Sequence, residues 1–183
     1  MTGRTWFTLA IAATLAAISS AFIYLRQPTL SDKPQAESPR PEAAARIFSL
    51  VLRDVEGRPQ RLEQWRGKIL VVNYWATWCH PCKEEMPGFS RLQQQFQSKG
   101  VQFVGISIDD ADKIIEFQKS TPVAYPLLIG DMDTMKQSAN LGNQRQGLPF
   151  TAVFGRDGSL AMTKLGRWND ADLESKLAAL IRP

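Results

Sequence analysis

Both cysteines of the chain fall in one tetrapeptide, Cys79-His80-Pro81-Cys82. Just before it runs an apolar, β-branched stretch, Ile69–Trp75 (ILVVNYW), which reads as a buried strand. After it, Pro81 to Lys99 reads as a helix, with Met86, Phe89, Leu92 and Phe96 on one face and Gly100 as its stop. A strand feeding directly into a helix whose first turn holds the cysteines constrains the fold more than any other feature. At helix positions i and i+3, two cysteines can reach the roughly 5.5 Å Cα separation of a disulfide.

The same placement makes the two thiols unequal. Cys79 sits where unpaired N–H groups leave the helix N-terminus, and their partial positive charge stabilises a thiolate. Pro81 suits the first turn, where its missing N–H costs nothing. Cys82 lies deeper, beneath the first turn, where a thiolate is less favoured. Cys79 is therefore the expected nucleophile and Cys82 the thiol that resolves the mixed disulfide. His80, the single histidine, is either a solvated spacer or a partial positive charge that supports the Cys79 thiolate.

Other uses of the pair fare less well. A structural disulfide this tight constrains little unfolded-chain entropy. Haem attachment needs a histidine after the second cysteine, and Lys83 stands there. One histidine and two cysteines do not fill a four-ligand zinc site from nitrogen and sulfur alone. Binding of a soft ion such as Cu(I) stays open.

From residue 47 onward the elements alternate. Strands are expected at Phe48–Leu52, Ile69–Trp75, Val101–Ile108, Tyr125–Ile129, Phe150–Phe154 and Leu160–Leu165. Helices are expected at Leu62–Trp65, Pro81–Lys99, Asp112–Ser120 and Thr134–Asn140, and a last one is capped by Asn169. Arg156-Asp157-Gly158 marks a hairpin. The pattern is α/β, a central mixed sheet flanked by helices.

The N-terminus is of another kind. Residues 1–4 form a short tail, and residues 5–25 carry no charge between Arg4 and Arg26. As a helix they would extend about 30 Å, the thickness of the hydrocarbon core. Ser19 and Ala21 could mark a cleavage site, but Phe22-Ile23-Tyr24-Leu25 carry the apolar run past it, which favours an uncleaved transmembrane anchor. Residues 26–46 hold Pro28, Pro34, Pro39 and Pro41 among scattered charges and read as a linker. The domain is thus assigned to residues 47–183. Basic residues flank both ends of the apolar run, so the domain is placed outside the cytoplasm because a very short N-terminal tail normally stays in.

The net charge of +4 invites a nucleic-acid reading. Residues 47–183, however, hold 17 Lys and Arg against 15 Asp and Glu, with no basic run interleaved with aromatics. No nucleic-acid partner is expected.

WATWCHPCKEEMP after ILVVNY, followed by GLPFTAVFGRDG, resembles the thioredoxin superfamily, and more narrowly the membrane-anchored TlpA/ResA type of thiol–disulfide oxidoreductase. The resemblance runs from about residue 47 to the C-terminus. It implies a thioredoxin-like fold with an N-terminal hairpin extension and a central insertion, here near Phe48 and across Asp112–Asn140. It makes Cys79 the nucleophile, Cys82 the resolving thiol, and Leu148–Pro149 a cis peptide facing them. Leu148 would then offer backbone hydrogen bonds to an extended substrate strand. Trp78, His80 and Pro81 would shape the surface around that strand. Thioredoxins carry an Asp in the strand before the motif, where this chain has Asn73. Glu85, three residues after Cys82 on one helix face, matches the acid that the ResA type places near its cysteines. In that role it relays a proton for Cys82.

The resemblance implies a reductase of protein disulfides in the bacterial inner membrane, single-pass, with its catalytic domain facing the periplasm. A membrane electron donor of the thiol-transfer type would recharge it. Apocytochrome c before haem attachment is a substrate such proteins often take. No metal or cofactor is expected beyond the Cys79–Cys82 disulfide. The competing readings are a Cu(I)-carrying module using the same cysteines and a dithiol oxidase.

Overall fold

The computed structural model describes residues 41–182. The proposed anchor at 5–25 and most of the linker lie outside the described residues. Among the described residues, no helix is long and apolar enough to cross a membrane.

The strand Ile69–Trp75 is β3, and all seven of its residues are buried. The other strands are β1 (Val51–Asp54), β2 (Pro59–Arg61), β4 (Val101–Ser107), β5 (Leu127–Ile129), β6 (Phe150–Phe154) and β7 (Leu160–Leu165). Among the described residues they form one mixed sheet in the order β2-β1-β5-β4-β3-β6-β7. β3 pairs in parallel with β4 and antiparallel with β6, so it has a hydrogen-bonded neighbour on each side. β1 and β2 make an antiparallel hairpin. The Asp54 carboxylate holds its turn by accepting the Glu56 and Arg58 N–H groups at 3.1 and 2.8 Å.

Alternation along β3 sends its side chains to two cores. Ile69, Val71 and Trp75 pack on one face with α2 (His80–Phe96) and α5 (Asp170–Ile181), through Met86, Phe89, Leu92, Phe96, Leu173 and Leu177. Leu70, Val72 and Tyr74 pack on the other face with α1 (Pro41–Phe48) and with Met135 of α4 (Met132–Gln137). The helix α3 (Ala111–Ser120) adds Ile114 and Phe117 to the first face.

The start of the domain differs from the sequence reading. Residues 41–46, assigned to the linker, belong to α1 together with Ile47 and Phe48. Ala43, Ala44, Ile47 and Phe48 are buried in the second core. Phe48 therefore ends a helix instead of opening a strand. Its ring meets Phe154 edge-on at 5.6 Å, under the Arg66 guanidinium at 4.4 Å. The strand begins three residues later, at Val51.

Candidate active site

Cys79 is the N-cap of α2, with extended backbone angles (φ −81°, ψ 101°), and Pro81 lies in the first turn. The Cys79 carbonyl accepts the Lys83 N–H at 3.2 Å, so the helix begins at that cysteine. Cys79 and Cys82 form a disulfide with Cα atoms 5.3 Å apart. Cys79 keeps 5% of its surface exposed and Cys82 keeps none. In this disulfide form Cys79 is the sulfur nearer to solvent, where an incoming thiolate would reach it before Cys82.

The strand-to-helix connection is held from below. Asp109, just past β4, is buried, and its Oδ2 accepts the Thr77 N–H at 2.6 Å. Ser107 Oγ donates to the same oxygen at 3.2 Å. A buried carboxylate thereby fixes the peptide two residues before Cys79. Sequence reasoning missed this role, because the contact spans 32 positions.

Glu85 is fully buried. Its Oε1 accepts from Asn73 Nδ2 at 2.8 Å and its Oε2 from the Trp168 N–H at 2.8 Å. Burial pushes its carboxyl up to about 7, against the opposing pull of those two hydrogen bonds and of Arg167. Asn73 lies on the α2 side of β3 and also donates to Thr151 Oγ1 of β6 at 3.0 Å. The titratable group is thus on the helix, one turn from Cys82, while the strand position holds a neutral amide that grips it.

The remaining site residues surround the pair. Trp78 stands in solvent with 67% of its surface exposed. Pro81 is exposed as well. The His80 imidazole is turned to Glu84, with Nε2 at 3.1 Å from Oε1, and Arg167 Nε lies 3.6 Å from the other Glu84 oxygen. His80 is therefore engaged by a carboxylate on the exposed helix face. The Leu148–Pro149 peptide is cis. Leu148 packs against the same apolar cluster as Cys79 and Cys82. Among the described residues no group of three or more His, Cys, Asp or Glu side chains could hold a metal ion.

The AhpC/TSA family profile matches residues 41–163. Among curated proteins, the thiol-disulfide oxidoreductase ResA of Geobacillus thermodenitrificans is 29% identical over 131 residues, covering 71% of this chain and 73% of that one. The thioredoxin-like protein YneN of Bacillus subtilis is 27% identical over 130 residues, 69% of this chain and 73% of its own. A solved thioredoxin-related protein from Neisseria meningitidis serogroup B is 35% identical, with a TM-score of 0.59 over 71% of this chain and 95% of that one. A thioredoxin family thiol:disulfide interchange protein from Chlorobium tepidum shares the fold, with a TM-score of 0.68 at 24% identity over 74% of this chain and 95% of that one. AhpC/TSA membership brings no lone reactive cysteine with it here, since both cysteines of the chain are spent in the redox pair. With two unequal thiols at a helix N-terminus and a buried acid one turn away, this chain belongs to the AhpC/TSA family and is a thiol–disulfide oxidoreductase of the ResA type in the thioredoxin superfamily.

Proposed function

We propose that the chain reduces protein disulfides outside the cytoplasm, tethered to the inner membrane by residues 5–25. The observation that carries the thiol-exchange mechanism is the buried Glu85, held by Asn73 and the Trp168 N–H on the same helix face as Cys82, where burial raises its carboxyl to about 7. In reduction, the Cys79 thiolate attacks a substrate disulfide, forming a mixed disulfide and releasing one substrate thiolate. Cys82 then passes its proton to the Glu85 carboxylate and attacks the Cys79 sulfur. The second substrate thiolate leaves, and the Cys79–Cys82 pair has given up two electrons. A base near neutrality is matched to that proton transfer. A thiol-transfer donor in the membrane returns the electrons.

Trp78 and the Leu148–Pro149 segment supply the docking surface, with Leu148 offering its backbone to an extended strand. Apocytochrome c, whose paired cysteines must be reduced before haem is attached, fits this chemistry.

The test is turnover of insulin disulfides together with the equilibrium of the Cys79–Cys82 couple against glutathione. Cys79→Ser should abolish turnover, and Cys82→Ser should accumulate a mixed disulfide through Cys79. A couple near that of thioredoxin supports reduction. A couple as oxidising as the strongest periplasmic oxidants would reverse the direction.

A further inference from the structure

The segment 143–147, which carries Leu148 and Pro149, has no helix or strand of its own. One side chain holds it. Asn143 is fully buried. Its Oδ1 accepts the Gly147 N–H at 2.9 Å, and its Nδ2 donates to the Gly147 carbonyl at 3.0 Å. The amide thus pairs with both polar groups of one residue, as a neighbouring strand does in a ladder. The second Nδ2 hydrogen goes to Ser138 Oγ at 3.0 Å, which selects one orientation of the amide.

The clamp has its own support. Ser138 Oγ donates to the Met135 carbonyl of α4 at 2.6 Å, and the Asn143 N–H donates to the Ser138 carbonyl at 3.1 Å. Between clamp and glycine the chain turns tightly. The Gln146 N–H donates to the Asn143 carbonyl at 2.9 Å, and Gln146 takes a φ of +48°, uncommon for a residue with a side chain. A Cβ at Gly147 would press on Leu165 Cδ1 at 3.0 Å, so a side chain there would require Leu165 to give way. On the far side, the Gly166 N–H donates to the Pro149 carbonyl at 2.8 Å. Leu148 is therefore strung between two fixed points, and only the Asn143 side relies on a side chain.

We infer that Asn143 is a positioning residue for substrate: its amide sets the register of the Leu148 backbone against a docked peptide strand. This rests on the docking role proposed for Leu148. Asn143 acts on recognition of extended protein substrates and leaves the thiol chemistry to the cysteine pair. A leucine would fill the same space, but it would hold neither polar group of Gly147.

The test is steady-state reduction of insulin by Asn143→Ala and Ser138→Ala, with the glutathione equilibrium of each. Loss of the two bonds to Gly147 should raise KM about tenfold, which corresponds to about 1.4 kcal/mol. The kcat at saturation and the glutathione equilibrium should stay within about twofold of the parent, a split that general loosening of the fold would not produce. Ser138→Ala keeps both Gly147 bonds and should raise KM about two- to threefold. A folded Asn143→Ala with KM unchanged, or with kcat falling alone, overturns the inference. If that variant does not fold, Ser138→Ala decides by the same criterion. The docking role has its own readout: amide resonances of Leu148 and Phe150 in Cys82→Ser trapped on a cysteine peptide. Unmoved resonances would overturn the docking role itself. Moved resonances beside an unchanged Asn143→Ala KM would overturn only the clamp.

Discussion

At the scale of single residues, the site is organised around one partly compensated burial. Glu85 is taken out of water, and its two accepted hydrogen bonds and the Arg167 charge only partly offset the cost. Because burial lifts its carboxyl from 4.5 to about 7, the folded protein holds that proton more tightly than the unfolded chain does. The resulting stabilisation is full below about 4.5 and is lost as the pH climbs through about 7. Its size is on the order of 3 kcal/mol. Glu85→Gln should remove this dependence. A glutamine can accept from the Trp168 N–H, and turning the Asn73 amide over would bring its otherwise unpartnered Oδ1 to the glutamine NH2. Urea unfolding of the oxidised protein from pH 5 to 8 should show the parent losing stability relative to Glu85→Gln. Parallel profiles would mean that Glu85 titrates in its ordinary range and is no proton relay for Cys82.

At the scale of elements, legibility followed locality. The strand β3, the helix α2, the hairpin at Gly158 and the Asn169 cap are each written in consecutive residues, and the structure has all four. The cysteine asymmetry was readable for the same reason, since strand, turn and helix are contiguous. Asp109 and Asn143 were not, because their partners are backbone groups placed by the folded chain, which no side-chain spacing announces. Glu85 was legible only through family resemblance, and its Trp168 partner lies 83 positions away. The helix α1 was missed for a different reason. Pro41, together with Pro28, Pro34 and Pro39 before it, reads as a linker, although Pro41 suits a first helical position and Glu42 and Arg46 complement the helix dipole. Its burial makes α1 part of the domain, so truncation there should be costly. Phe48→Ala should destabilise the domain by about 3–5 kcal/mol, through the cavity left beside Phe154. A chemical denaturation midpoint indistinguishable from the parent's would show α1 to be only loosely held on the sheet.

At the scale of the whole molecule, the proposed topology joins a thiol-exchange domain to the membrane that supplies its electrons. A reductase that turns over must be reoxidised by substrate and re-reduced by a donor, and both partners must reach Cys79. The segment 26–40 between the proposed anchor and α1 is 15 residues long and rich in proline. A proline-rich chain of that length, were it extended in polyproline geometry at ~3 Å per residue, would span roughly 45 Å. The proposed tether would confine the domain near a membrane donor and raise its effective concentration there. It leaves soluble substrates free to arrive by diffusion. Separating the two halves should therefore split the activities. A protein beginning at residue 39 should be exported as a soluble domain behind a cleavable signal and should reduce insulin as the full chain does when given a chemical dithiol. In cells its Cys79–Cys82 pair should accumulate as the disulfide, because the donor finds it less often, while the full chain stays largely reduced in a carbonate-washed membrane fraction. Alkylation trapping of both forms reads the ratio directly. Release of the full chain by the wash, or an equally reduced pair in the untethered domain, would show that residues 5–25 do not serve to hold the enzyme beside its electron source.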